Sequence, residues 1–391
     1  MDKKIGIFSF FAGAGFLDLG FEMTGKFETL FVNEYHNAFM EVYKSSRISL
    51  KISPPIYGEH VEDITNFLSL SQSKLLKQQV EKSRKTHSLI GFIGGPPCPD
   101  FSIAGKNKGK EGENGILSQT YIELICRIKP DFFLFENVKG LYRTHKHREF
   151  FESVKIKLVK AGYFLTEKLI NAIEYGAPQD RERIILIGFK KDTLISQGFK
   201  VNGLPTINNF DWNRNTIYKA SDLFKYDWPT QDIFIPDSKK PFHSKGPKEL
   251  TVEYWFKKND VSKHPNANDH FTPRAGLPKF LTIKEGDDLK KSYKRLHRWR
   301  YSPTAAYGNN EVHLHPYKAR RISVAEALAI QSLPKEFFLP KHISLSNMFK
   351  TIGNGVPFLA AKGLANNIFD FLYNNSIKDI KHSHDTKADT H

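Results

Sequence analysis

The stretch IGIFSFFAGAGFLDLGF, Ile5 to Phe21, decides how the chain is read. Ile5–Phe10 is an apolar run with the length of a buried strand. Gly13 and Gly15 make a turn, and Phe16–Met23 begins an amphipathic helix. A strand, a glycine turn and a helix form a nucleotide-type cradle, with backbone amides facing the ligand. The spacing is not G-x-G-x-x-G, because Asp18 stands where the third glycine would be. Taken alone, the turn fits an ordinary strand-to-helix connection equally well. With its leading lysines and its Ala-Gly-Ala, the same stretch imitates a secretory signal. Ser9 interrupts the apolar run and a helix follows directly, which favours a folded element.

Reading outward, Glu28–Asn33 is a second strand with Glu34 at its end, and Tyr57–Ile64 a third with Asp63 at its end. Leu89–Ile93 is a fourth, DFFLFENV a fifth ending at Glu136, and Arg183–Phe189 a further strong one. Helices are predicted at Asn37–Lys44, Leu117–Ile128 and Phe150–Ala161. Alternating strands and helices indicate an α/β fold, a doubly wound and mostly parallel sheet of Rossmann-like type. Ligands bind at the carboxyl ends of such strands. Glu34 is there to meet ribose hydroxyls and Asp63 an adenine amino group, although either carboxylate also suits a surface or a helix cap.

Near residue 190 the texture changes. Residues 190–319 read as a second, smaller, loop- and strand-rich domain after a catalytic domain of residues 1–189. This segment holds all four Trp and the basic run KKSYKRLHRWR, Lys290–Arg300. Residues 320–375 return to regular structure. Ser323 and Glu326 make a capping box; IGNGVP (Ile352–Pro357) and an apolar helix over Phe358–Tyr373 follow. Residues 376–391 are polar and read as a disordered tail.

The net charge of +16 over 391 residues points to a polyanionic partner, nucleic acid first, or to a lysine-rich soluble surface. Two cysteines exclude a disulfide framework, and no CxxC or HExxH is present, so no metal is expected. His313 and His315 share a face of an extended segment, as a ligand pair or as structural residues. No run of 18 apolar residues exists.

The chemistry is carried by GGPPCPDFS, Gly94–Ser102. Cys98 lies among prolines on a strand-end loop, where a thiolate can act as a nucleophile. Cys126 instead sits on the apolar side of a helix with Ile122 and Ile125. Glu136 ends the neighbouring strand, and QDRER (Gln179–Arg183) brings two arginines to the same edge.

The order of these motifs resembles that of the DNA (cytosine-5) methyltransferase family, bacterial restriction-modification type. FFAGAGFLDLGFE resembles its cofactor loop, GGPPCPDFS its nucleophile loop, ENV its carboxylate motif and QDRER its Q-x-R-x-R. RRISVAEALAIQSLP and IGNGVP resemble its C-terminal motifs. Three positions depart from the family pattern: Pro99 where glutamine is usual, Ser9 where aspartate is usual, and Phe16 where a second glycine is usual.

The resemblance implies S-adenosylmethionine as cofactor, held by Phe11, Gly13, Gly15, Glu34, Tyr35, Asp63, Ile64, Pro97, Asn354 and Val356. It implies catalysis by Cys98, Glu136, Arg181 and Arg183 on a flipped-out cytosine of double-stranded DNA. Ser102, Lys290, Lys291, Lys294, Arg295, Arg298 and Arg300 are the expected DNA contacts, and Ala104–Gly115 the segment to close over the base. A restriction endonuclease as functional partner, a cytoplasmic location and a monomer complete the expectation. A tRNA substrate, a non-catalytic nucleic-acid-binding role and a nicotinamide dehydrogenase are the alternatives. The large recognition segment, the intact Cys98–Glu136–Arg183 set and the missing third glycine disfavour them in turn.

Overall fold

The computed structural model describes residues 3–97, 113–142, 145–201, 203–273, 276–290, 292–308, 311–375 and 379–380. Seven strands form one sheet: β1 (Ile5–Phe10), β2 (Phe27–Glu34), β3 (Glu59–Val61), β4 (Ile90–Gly94), β5 (Phe132–Val138), β6 (Tyr163–Asn171) and β7 (Glu182–Lys190). Their order is β3-β2-β1-β4-β5-β7-β6. The first five run parallel, and β7 is antiparallel to both its neighbours. The mixed α/β fold is therefore as the sequence predicts.

Helices α1 (Phe16–Glu22), α2 (Asn37–Ser49), α3 (Leu70–Ser83), α4 (Glu113–Ile128) and α5 (His145–Lys160) alternate with the strands. Strand β1 shows why the sheet is covered on both faces. Ile5 and Ile7 join one apolar cluster, while Phe8 and Phe10 join the other, as the two-residue period of a strand requires.

Two elements were not legible. Helix α3 buries few apolar side chains, Leu76 and Val80 among them, so its sequence carries little periodicity; Ser69 caps it. Strand β6 is an edge strand whose centre, Glu167–Leu169, is only half-buried, which breaks the apolar pattern. The third strand is also shorter than predicted, and Asp63 lies beyond its end.

Beyond β7 come α6 (Lys191–Ser196), β8 (Lys200–Val201), α7 (Ala220–Leu223), α8 (Val252–Lys258) and α9 (Leu277–Thr282). Then follow α10 (Val324–Ile330), α11 (Leu345–Asn354), α12 (Phe358–Tyr373) and β9 (Asp379–Ile380). The segment 190–319 is loop-rich but not strand-rich. Its described residues hold one two-residue strand and isolated bridges such as Asp232 with Glu285. Long polar side chains, rather than ladders, hold its loops together. Its boundaries are also less clean than the composition suggests. Phe199, Ile207 and Phe210 pack in the core of the seven-stranded sheet beside Phe189 and Phe371. Trp255, Leu296 and Ala305 share a core with Phe16, Leu19 and Ile352. The tail is not wholly irregular either, because Asp379–Ile380 pairs in parallel with Lys200–Val201.

Candidate active site

The turn after β1 is a tight one. Phe11, Gly13 and Gly15 all take the left-handed conformation, with φ of 54°, 56° and 76°. Ala12 N–H donates to the Asn33 carbonyl (3.1 Å), which ties the turn to β2. Glu34, buried at the end of β2, accepts from Gly13 N–H through one oxygen and His36 N–H through the other, both at 2.8 Å. Each oxygen keeps lone-pair capacity for a further donor. Among the described residues nothing lies within 4 Å of where a Gly13 Cβ would be, and Tyr35, next to Glu34 in the chain, is 64% exposed. Open space over the glycine, a carboxylate at the strand end and an exposed aromatic ring fit a nucleoside with free ribose hydroxyls.

Asp63 uses Oδ1 to accept from the Thr65 N–H (2.8 Å) and hydroxyl (2.7 Å), capping a short 3-10 turn. Ile64 follows directly, its side chain buried in the core with Phe31 and Phe67. Asn354 is exposed at the end of α11, and Val356 is buried two residues later.

The departures in the first motif have physical counterparts. Ser9 donates to the buried Asp18 carboxylate (2.8 Å), so a carboxylate from α1 stands behind the end of β1. Phe16 packs edge-on against Phe337 and presses on Gly355, where a Cβ would meet its ring. A bulky residue in the first motif is matched by a glycine in the last.

The second half of the candidate site lies between β5 and β7. Because β7 runs backwards, its first residues reach the edge where β5 ends, with Val138 opposite Arg183. Glu136 Oε1 meets Arg183 Nε at 2.9 Å, with both side chains largely buried. Burial pushes the Glu136 carboxyl above its ordinary range, and Arg183 and Arg181 pull the other way. Gly95, which starts the nucleophile loop, lies so close that a Cβ there would be 2.6 Å from Glu136 Oε2. Cys98 and Ser102 lie outside the described residues, as does Lys291. Pro97 is exposed.

Arg181 is 1% exposed and does not reach open surface. Its guanidinium donates to the carbonyls of Ala305 and Gly353, both at 2.9 Å. Gln179 donates to Gln331 Oε1 (3.2 Å) and accepts from Ala305 N–H (3.0 Å). The Q-x-R pair thus joins the start of β7 to both C-terminal motifs. Arg181 is locked into this junction, and Arg183 is the one that meets the carboxylate.

The basic run divides sharply. Lys290 is exposed and Lys294 half-buried. Arg300 pairs with Asp288 (2.7 Å). The expectation of DNA contact fails for Arg295 and Arg298, which are buried. Arg298 makes a two-pronged pair with Glu285 (2.7 and 2.9 Å) and stacks on Tyr317. Arg295 stacks on Phe234 and donates to four backbone carbonyls. The alternation of these arginines with buried Leu296 and Trp299 was the available signal.

His313 and His315 are buried structural residues. Burial drives His313 down to about 3, against Tyr307; His315 faces Glu326 at 3.3 Å. Another group, Asp232, His243 and His297, brings three potential metal-ligand atoms within 4.8 Å of one another. However, His297 Nδ1 accepts the Trp299 N–H (3.0 Å), which puts the ring proton on Nε2, the nitrogen facing Asp232. Lys240 already occupies Asp232 at 2.9 Å. Burial lowers His297 to about 4, so the cluster is a Lys240–Asp232 ion pair beside a neutral imidazole. Among the described residues no helix is long and apolar enough to cross a membrane.

The chain is similar to known proteins along nearly its whole length. It is 60% identical over 372 residues to the Type II methyltransferase M.NmeDI of Neisseria meningitidis serogroup C, covering 95% of this chain and 85% of that protein. It is 29% identical to the Type II methyltransferase M.FnuDI of Fusobacterium nucleatum, covering 94% of each. A candidate DNA modification methyltransferase encoded within an E. coli prophage shares the fold, with a TM-score of 0.63 at 21% identity over 94% of this chain and 99% of that one. The family model for C-5 cytosine-specific DNA methylases matches residues 5–370. Motif order, the Glu136–Arg183 pair and this match agree: the chain belongs to the C-5 cytosine-specific DNA methylase family and is a DNA cytosine methyltransferase.

Proposed function

We propose that the protein methylates carbon 5 of a cytosine within a specific duplex sequence, with S-adenosylmethionine as donor, and protects DNA from a paired restriction endonuclease. The observation that carries the chemistry is the buried Glu136–Arg183 pair lying over Gly95, three residues before Cys98. The Type II character of the 60%-identical relative supports the modification role.

In this reading the target base is flipped out, because its ring cannot be reached inside a duplex. The Cys98 thiolate forms a bond to carbon 6, and the displaced electron pair moves into the ring. Burial raises the Glu136 carboxyl's hold on a proton, with Arg183 and Arg181 opposing; in its protonated form Glu136 donates to ring nitrogen 3, and Arg183 donates to the oxygen at position 2. Carbon 5 thereby becomes nucleophilic. Bound S-adenosylmethionine supplies an electrophilic methyl group. Loss of the carbon 5 proton returns the electron pair and breaks the sulfur–carbon bond, which frees the thiolate.

Phe11, Gly13 and Gly15 would hold the cofactor, with Glu34 on the ribose, Asp63 on the adenine amino group and Tyr35 against the base. Pro97, Asn354 and Val356 would close the pocket. Ser102, Lys290, Lys291, Lys294 and Arg300 remain the proposed DNA contacts. A monomer acting in the cytoplasm fits this role.

The test is covalent trapping. Duplex DNA containing 5-fluorocytosine blocks the last elimination, so the enzyme should stay attached in the presence of S-adenosylmethionine. The adduct should vanish with Cys98→Ala, and sequencing of the trapped DNA gives the site. An adduct formed on fluorinated tRNA and not on DNA would refute the substrate assignment.

A further inference from the structure

Beneath the turn after β1 lies a cluster of buried polar side chains that none of the motifs contains in full. Arg47, on α2, is its centre. Its Nη2 donates to the Gly15 carbonyl at 3.0 Å, and Nη1 approaches the Ala14 carbonyl at 3.5 Å. Its plane stacks on Tyr43, 3.9 Å from the ring centre. Glu22, at the end of α1, pairs with it at 3.1 Å. Asp18, held by Ser9, adds a second carboxyl that is fully buried.

Such a cluster needs a reason. Buried ion pairs rarely exceed well-packed apolar groups in stability. This one is fitted to the loop above it. A Cβ on Gly15 would lie 2.5 Å from Tyr43 and would also strike the Arg47 guanidinium. The Gly15 carbonyl, held toward Arg47, fixes the direction of the Phe16 N–H, because C=O and N–H point oppositely across a trans peptide. Three left-handed residues within Phe11–Gly15 make a turn closed by the Gly15 N–H on the Ala12 carbonyl (2.8 Å), and the Gly15 carbonyl also accepts the Leu19 N–H (2.9 Å) that begins α1. A planar fork that reaches two successive carbonyls adds a side-chain hold on the turn from α2, and an ammonium cannot copy it.

We infer that Arg47 is a positioning residue for the cofactor: its guanidinium, stacked on Tyr43 and paired with Glu22, holds Ala14–Gly15 in the shape that receives S-adenosylmethionine. The inference rests on the proposed identity of that cofactor. It predicts an effect on cofactor affinity that is separate from stability and from turnover.

The experiment compares wild type, Arg47→Lys and the double variant Arg47→Met/Glu22→Gln, which removes both members of the ion pair. Affinity for S-adenosylhomocysteine is measured by calorimetry, melting temperature by fluorescence, and kcat and KM for each substrate by methyl transfer. The double variant is expected to melt near wild type yet bind at least ~tenfold more weakly, equivalent to about 1.4 kcal/mol. The KM for S-adenosylmethionine should rise in step, with kcat at saturation and KM for DNA little changed. Arg47→Lys should fold and show the same weakened binding. If the stable double variant or Arg47→Lys binds as wild type does, the positioning role is wrong. If wild type itself does not bind S-adenosylhomocysteine, the cofactor assignment fails and takes the inference with it.

Discussion

Arg295→Met separates a scaffold from a DNA contact within one basic run. The Arg295 side chain is 0% exposed. Its Nε donates to Ile283 O (2.9 Å), Nη1 to His315 O (2.5 Å) and Lys318 O (3.1 Å), and Nη2 to Phe280 O. Those carbonyls come from two places, the end of α9 at Phe280 and Ile283 and a loop around 315–318. No carboxylate is among its hydrogen-bond partners, and burial lowers its pKa to about 10, with Glu285 opposing, so it stays charged at neutral pH. Methionine keeps most of the stem and leaves four acceptors without this donor, two buried and two part-buried. Each buried one costs ~1–3 kcal/mol when left unmet. The relieved desolvation of the guanidinium offsets part of this, so the net loss should be about 2–4 kcal/mol.

The assay is urea unfolding followed by tryptophan fluorescence, paired with DNA binding across a salt series below the transition. Arg295→Met should lower stability by that amount and leave the salt slope unchanged, because no phosphate contact is removed. Lys290→Ala should do the reverse, with stability within about 0.5 kcal/mol of wild type and a slope smaller by ~0.9, the value of one phosphate contact. An Arg295→Met protein as stable as wild type, with a slope reduced by about one, would refute the reasoning.

Three further outcomes are expected. Gly95→Ala puts a methyl 2.6 Å from Glu136 Oε2, so kcat should fall on the order of 100-fold while S-adenosylhomocysteine affinity and melting temperature hold. Burial, against opposing Arg47, raises the Asp18 pKa from 3.8 to about 6, so the folded state holds that proton more tightly than the unfolded chain. Its contribution is complete below pH 3.8 and is lost as pH rises through 6. A melting series should show that decline, on the order of 3 kcal/mol, in wild type and not in Asp18→Asn; parallel curves would count against it. Gly355→Ala drives a methyl into Phe16, 2.7 Å from Cε2, and should cost about 1–3 kcal/mol by thermal melting, recovered in part by adding Phe16→Leu.

Much of the fold was legible because its signals are local. The apolar runs of β1, β2, β4, β5 and β7, with glycines and prolines at their ends, imply a doubly wound sheet before any packing is known. Helix α3 escaped because solvent covers much of it, and strand β6 because its half-buried centre, Glu167–Leu169, interrupts the apolar pattern that would reveal it. The candidate site was legible as a set of residue types in order. Glu136 and Arg183 were named from motifs, although nothing local says that β7 runs backwards to bring them within 2.9 Å.

The chain itself determined the class of protein, since strand period, turn chemistry and motif order are properties of neighbouring residues. Tertiary structure alone decided which charges face water. Arg295, Arg298 and Lys290 stand within eleven residues of one another and look alike as letters. Two are buried among carbonyls, a glutamate and aromatic rings, and one is exposed. The same holds for Arg47, which no motif marks and which reaches Gly15 from 32 residues away. The fate of a charge depends on partners brought close by folding, and those partners lie far beyond any local window.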